Sequence, residues 1–241
     1  MSTVMATNTI KARHDWGTAL RSVRRLLADA NDTAQVFRIM RALNTRSNRA
    51  GYERLLSTPE GGRIAYQRLE LAERLADRTY IASCPAHSVG AAYAHFLRGT
   101  GFTADGLAQV SRSDDLVLDA EHPHAWFGRR TRDIHDIWHV LTGYRADDPL
   151  GEACLVAFSF AQTRGLGWAL IAIGAAIKAW RTPSGEPAVR AILEGYRNGR
   201  RAAWLQGEDY ELLLAEPLDQ ARKRLRIAPA NAYQAFMPIG L

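Results

Sequence analysis

His135, Asp136 and His139 stand together in the run HDIWH, and Glu152 follows with twelve residues between it and His139. On an α-helix, residues four apart share a face about one turn from each other, so the two imidazoles would aim at one point. Zinc helices of the H-E-x-x-H type use the same spacing, and there the acid beside the first histidine works on bound water. Here that acid is Asp136. Being one methylene shorter than glutamate, it could be a metal ligand, a hydrogen-bond partner behind a ligand, or a base. Two histidines and a carboxylate leave coordination positions open for water, substrate or oxygen. The plainer reading is a polar face on a packed helix. Seven histidines in 241 residues make a chance pair four apart easy to find, and a buried histidine is commonly a hydrogen-bonded core residue.

The chemistry needs a frame, and the flanking sequence predicts one. A helix runs from about Ala125 to Thr142, with Gly143 as its stop. The loop Tyr144–Asp148 turns the chain, and Asp148-Pro149 opens the next helix. A short loop between antiparallel helices would bring Glu152, in the first turn of the second, beside the C-terminal half of the first. Helical spacing recurs almost everywhere else. Asp32 caps a helix carrying Val36, Ile39, Met40 and Leu43. Thr58-Pro59-Glu60 starts one that runs toward Asp77. Ser88 caps VGAAYAHFLRG. Residues 181–185 are a loop, Glu186–Gln206 is a long helix, and Pro217 opens a last helix to about Ile227. The expectation is an all-α fold: one domain of roughly eight to ten helices.

The composition suits a soluble globular protein: 47% hydrophobic and 23% charged residues. Cys84 and Cys154 are far apart, and neither belongs to a C-x-x-C pair, so a reducing compartment fits. The net charge is +6 and the pI about 9.6, which favours acidic surfaces. No zinc-finger or RNA-binding signature accompanies the charge, so an anionic membrane surface is preferred to nucleic acid as partner. The uncharged stretch Gly165–Ile177 is too short to span a bilayer, which needs roughly 20 residues. Its mixture of small and bulky residues suits either an apolar groove or a tightly packed core or dimer helix.

The HDIWH motif with its downstream glutamate resembles the coenzyme Q biosynthesis protein four family. That family carries H-D-x-x-H, eleven residues and a glutamate; the extra residue here is expected in the Arg145–Asp148 loop. Segments such as YERLLSTPEGGRIA, SVGAAYAHFLRGTGFTADGL and EGYRNGRRAAWLQGEDYELLL resemble the family in order. The likeness covers about residues 32–227, leaving a basic N-terminal helix or arm (1–31) and an irregular tail (228–241).

The resemblance implies a divalent metal (zinc, iron or manganese) on His135, Asp136, His139 and Glu152. It implies decarboxylation and hydroxylation at C1 of a polyprenylated hydroxybenzoate, with a scaffold for the ubiquinone biosynthetic enzymes as the alternative. Asp136 is then a candidate base. Arg132, about one turn before His135, is the candidate cation for the ring carboxylate, while Arg129 and Arg130 are expected to face solvent or lipid headgroups. Trp168, Ile171 and Gly174 are the candidate contacts for the prenylated quinone precursor or isoprenoid lipid. A homodimer, peripheral on the cytoplasmic face of a bacterial inner membrane, completes the expectation.

Overall fold

Capping chemistry sets where many of the helices begin. The computed structural model describes residues 14–29, 32–100 and 122–236. Within them lie α1 (Trp16–Ala28), α2 (Thr33–Leu43), α3 (Thr45–Leu56), α4 (Pro59–Gln67), α5 (Leu71–Ala76), α6 (Arg78–Ser83) and α7 (Val89–Thr100). After them come α8 (Pro123–Thr142), α9 (Pro149–Thr163), α10 (Leu166–Trp180), α11 (Gly185–Arg201), α12 (Tyr210–Leu213), α13 (Leu218–Arg224) and α14 (Asn231–Phe236). Asp15, Thr58, Asp77 and Asp148 each accept a backbone N–H of the first turn they precede, in α1, α4, α6 and α9. No strand occurs among the described residues, and ten helices have seven residues or more, in agreement with the all-α, single-domain expectation.

Three boundaries differ from the sequence reading. The helix expected from Pro59 toward Asp77 is two pieces, α4 and α5, because Arg68 takes the left-handed conformation (φ 45°) and ends α4. The Leu69 carbonyl just beyond accepts the Trp126 indole N–H at 3.2 Å, tying the break to α8. The helix expected to reach Gln206 stops at Arg201. Gln162 of α9 collects the freed backbone there, donating to the Gly199 and Ala203 carbonyls (2.7 and 3.0 Å) and accepting the Leu205 amide (2.8 Å). The region after 227, expected to be irregular, contains α14, which buries Tyr233. At the other end α1 is built into the main core through Ala19 and Val23.

The core runs along α9, where every residue from Ala153 to Ser159 is buried. α11 crosses it at very close range. A Cβ at Gly195 would lie 2.4 Å from the Cys154 carbonyl oxygen, and one at Gly199 would lie 2.6 Å from that of Phe158. Only glycine permits this approach of two backbones. α8 is held at both ends. Leu55, Ile64 and Ala65 pack on Trp126 and Phe127 near its start. At its finish Arg222 of α13 donates to the Leu141 and Val140 carbonyls (2.9 and 3.0 Å), satisfying acceptors that a helix end leaves open.

Candidate metal centre

The loop between α8 and α9 brings the polar residues of the motif together. Gly143 caps α8 in the left-handed conformation (φ 78°), its amide bonding the His139 carbonyl at 2.8 Å. Arg145 forks onto Asp147 (2.9 and 2.6 Å). The Asp148 carboxylate accepts the Gly151 amide and the Tyr233 hydroxyl, both at 2.9 Å. The loop lets the two helices meet. Glu152 lies 3.3 Å from His135 Nε2 through Oε1 and 3.0 Å from His139 Nε2 through Oε2. One ligand atom from each of His135, His139 and Glu152 falls within 4.8 Å of the others, a span that one ion can bridge.

The surroundings prepare these atoms as donors to a cation. His139 Nδ1 lies 2.8 Å from the Tyr144 carbonyl, which fixes its proton there and turns Nε2 toward Glu152. The His139 ring stacks on Phe96 (centroids 5.8 Å, 18° between planes), and His135 stacks on Trp168 (5.4 Å, 13°). Desolvation by the surrounding helices would raise the Glu152 carboxyl, but His139 and His135 overcome it and hold the group well below the usual carboxylate range. Burial alone would lower His139, yet Glu152 and the Tyr144 carbonyl raise it above the ordinary imidazole value. The two shifts share a cause, the attraction between His139 and Glu152.

The other expected residues distribute unevenly. Asp136 is buried beside the two imidazoles but outside the three-residue cluster. Burial, with Glu152 adding to it, holds its carboxyl above the usual range against the pull of His135 and His139. Arg132 turns to its own neighbour, pairing with Asp133 at 2.6 Å. Trp168 reaches the site; Ile171 is a core residue, and Gly174 packs against Leu27 and Val23 of α1.

Arg130 was expected at the surface and is buried. It donates to the Glu208 carbonyl (3.0 Å), faces Glu211 at 3.8 Å and lies over the Tyr210 ring, so the region around α12 supplies the partners that let it leave water. Arg129 pairs with Glu70 at 2.6 Å. His122 caps α8, its side chain accepting the His124 amide, and Pro123 is the first residue of the helix. Among the described residues no other group of three metal-binding side chains occurs. Phe96 and the Tyr144 carbonyl escaped the sequence reading. The spacing of Tyr93 and Phe96 marks a shared helix face, but not the helix that it meets.

Comparison with known proteins agrees with this architecture. The profile of a family described as coenzyme Q (ubiquinone) biosynthesis protein Coq4 matches residues 13–231, which takes in α1 as well as the segments seen to resemble the family. The chain is 28% identical over 184 residues to a mitochondrial ubiquinone biosynthesis protein COQ4 homologue of Nematostella vectensis, covering 74% of this chain and 84% of that one. It is 29% identical over 178 residues to the Danio rerio homologue, covering 73% and 62%. A crystal structure assigned to ubiquinone biosynthesis in Nostoc punctiforme PCC 73102 superposes with a TM-score of 0.65 at 21% identity, over 89% of this chain and 99% of that one, a likeness that speaks for the fold. With the profile matched over most of its length, the chain belongs to the Coq4 family of ubiquinone (coenzyme Q) biosynthesis proteins.

Proposed function

We propose that the protein is a metal-dependent enzyme that oxidatively decarboxylates a polyprenylated hydroxybenzoate: the ring carboxylate leaves as CO2 and a hydroxyl takes its place at the same carbon, with dioxygen as the two-electron oxidant. The observation that carries this reading is the convergence of His135 Nε2, His139 Nε2 and the Glu152 carboxylate on two adjacent helices. The donor set fits a divalent ion (zinc, iron or manganese): two imidazole nitrogens, one carboxylate, and a Glu152 side chain still 44% exposed, which leaves an open side for substrate. Such an ion would supply Lewis-acid polarisation of the ring phenol or carboxylate and, if redox-active, a route for oxygen chemistry.

The chain's own groups do the rest. Tyr144 fixes the tautomer of His139. Asp136 is buried beside the two imidazoles, and its carboxylate is the group to accept the phenol proton. Arg132 would have to exchange Asp133 for the ring carboxylate, and it remains the proposed cation for that group. Trp168 stays proposed as the apolar side of the site, whereas Ile171 and Gly174 pack into the core and against α1.

The surface favours a second reading, that of a scaffold at a membrane. Ile173, Ile177 and Trp180 of α10 are 58%, 52% and 64% exposed and form a shallow depression with Val189 and Arg181. An apolar strip with basic residues near it suits an anionic membrane surface, other enzymes of ubiquinone biosynthesis, or the second subunit of a homodimer. Among the described residues no helix is long and apolar enough to cross a membrane. Peripheral attachment, in our reading to the cytoplasmic face of a bacterial inner membrane, is compatible with either role.

The test is elemental analysis of wild type beside a His135→Ala/His139→Ala double variant, with circular dichroism and complementation of a quinone-deficient strain. About one divalent ion per chain, lost with complementation in a variant that stays helical, is expected. A folded variant that still complements moves the protein to the scaffold reading.

A further inference from the structure

The two histidines of the cluster are held in different ways. His139 has its Nδ1 anchored on the Tyr144 carbonyl and its ring laid on Phe96. His135 has no such anchor: its Nδ1 is buried and has no hydrogen-bonding partner among the described residues. Its ring lies nearly parallel to the Trp168 indole, 13° between planes at 5.4 Å. A metal-binding imidazole whose second nitrogen is unbonded is free to swing about χ2, and the outer hydrogen bond is the usual brake. The described residues leave His135 with a stacked indole in its place.

We propose that Trp168 is a positioning residue. The face of its indole sets the plane of His135, and so keeps Nε2 on line with Glu152, in place of the hydrogen bond that His139 enjoys. The inference rests on the metal reading above. Trp168 is suited to the task because its own helix start is pinned: the Gly167 amide donates to Asn44 Oδ1 at 2.8 Å, tying the first turn of α10 to the end of α2. Phe96 stacks on a histidine already fixed by Tyr144, so the two aromatic residues are not equivalent. The site should depend on the plane at 168 and tolerate its loss at 96.

The experiment compares wild type with Trp168→Leu, Trp168→Phe and Phe96→Leu. Equilibrium dialysis with Co²⁺ and Zn²⁺, the Co²⁺ absorption spectrum, circular dichroism and thermal melting are measured on each. Trp168→Leu is expected to bind on the order of ten- to a hundredfold more weakly with an altered Co²⁺ spectrum, as when other supports of a ligand are removed. Trp168→Phe, which keeps a flat ring, and Phe96→Leu should stay within about threefold of wild type. If Trp168→Leu does not fold, Trp168→Met takes its place.

Wild-type affinity and spectrum in a folded leucine or methionine variant would overturn the proposal and leave the metal reading standing. A phenylalanine variant no better than leucine would make Trp168 a core filler and overturn it equally. Wild-type protein that binds neither ion would sink the metal reading and this inference with it.

Discussion

Replacing Gly195 with alanine should disturb a site that it does not touch. The Cβ added there would fall 2.4 Å from the Cys154 carbonyl oxygen. That oxygen belongs to helix backbone and has no rotamer to escape into. Such contacts are not tolerated below 3.0 Å, so α9 and α11 must part by about 0.6 Å at this crossing. Glu152 is two residues from Cys154 on the same helix and would travel with it. Ligand distances in a metal site tolerate about 0.2 Å. The glutamate side chain can absorb part of the movement by a change of rotamer, so the expected loss of metal affinity is about tenfold rather than complete.

The parted helices should also cost about 1–3 kcal/mol of stability, the range for forcing an extra methyl into a well-packed interior. Competition dialysis with Zn²⁺ and thermal melting of the metal-free protein measure the two effects separately. An alanine variant with wild-type melting temperature and wild-type affinity would refute the reasoning, because it would mean that the α9–α11 contact neither sets the helix spacing nor positions Glu152.

Other perturbations have directions set by the same geometry. Gln162→Leu should destabilise the fold by about 3–6 kcal/mol, since it strands the Gly199 and Ala203 carbonyls and the Leu205 amide at a buried junction; chemical denaturation measures it. Arg130→Met should cost about 2–4 kcal/mol by leaving Glu211 and the Glu208 carbonyl without their cation, and melting beside an Arg130→Met/Glu211→Leu double variant would show part of the loss recovered. In the metal-free protein His139 titrates above its ordinary value, so its contribution to stability is full below about pH 6.5 and fades as the pH rises through its folded value. Melting of metal-free wild type and His139→Ala across that range should therefore converge toward high pH. Metal affinity should move the opposite way, weakening as the pH falls, because the ion must displace the His139 proton.

Much of the frame was legible in the chain because it is written in local chemistry. Asp148-Pro149 announces α9, Gly143 ends α8, and the i, i+4 spacing of His135 and His139 holds on any helix. The misreadings lie where distant residues decide. Pro59 to Asp77 keeps a helical pattern, yet the chain breaks at Arg68 and offers the Leu69 carbonyl to an indole 57 residues away. Arg130 has the chemistry of a surface residue and the setting of a core one, because its partners Glu208 and Glu211 arrive from about 80 positions on.

The candidate site divides in the same way. The sequence by itself determined an all-α protein, the helix that carries both histidines and the turn that returns Glu152 toward them, since these depend on capping and on helical phase. Only the tertiary structure decided that Glu152 closes on both Nε2 atoms, that Asp136 stands outside their cluster, that Arg132 spends its charge on Asp133, and that Trp168 rather than a hydrogen bond lies against His135. Those relations are set by how α8, α9, α10 and α11 pack, and packing turns on contacts between residues far apart in the chain, which neither spacing nor propensity encodes.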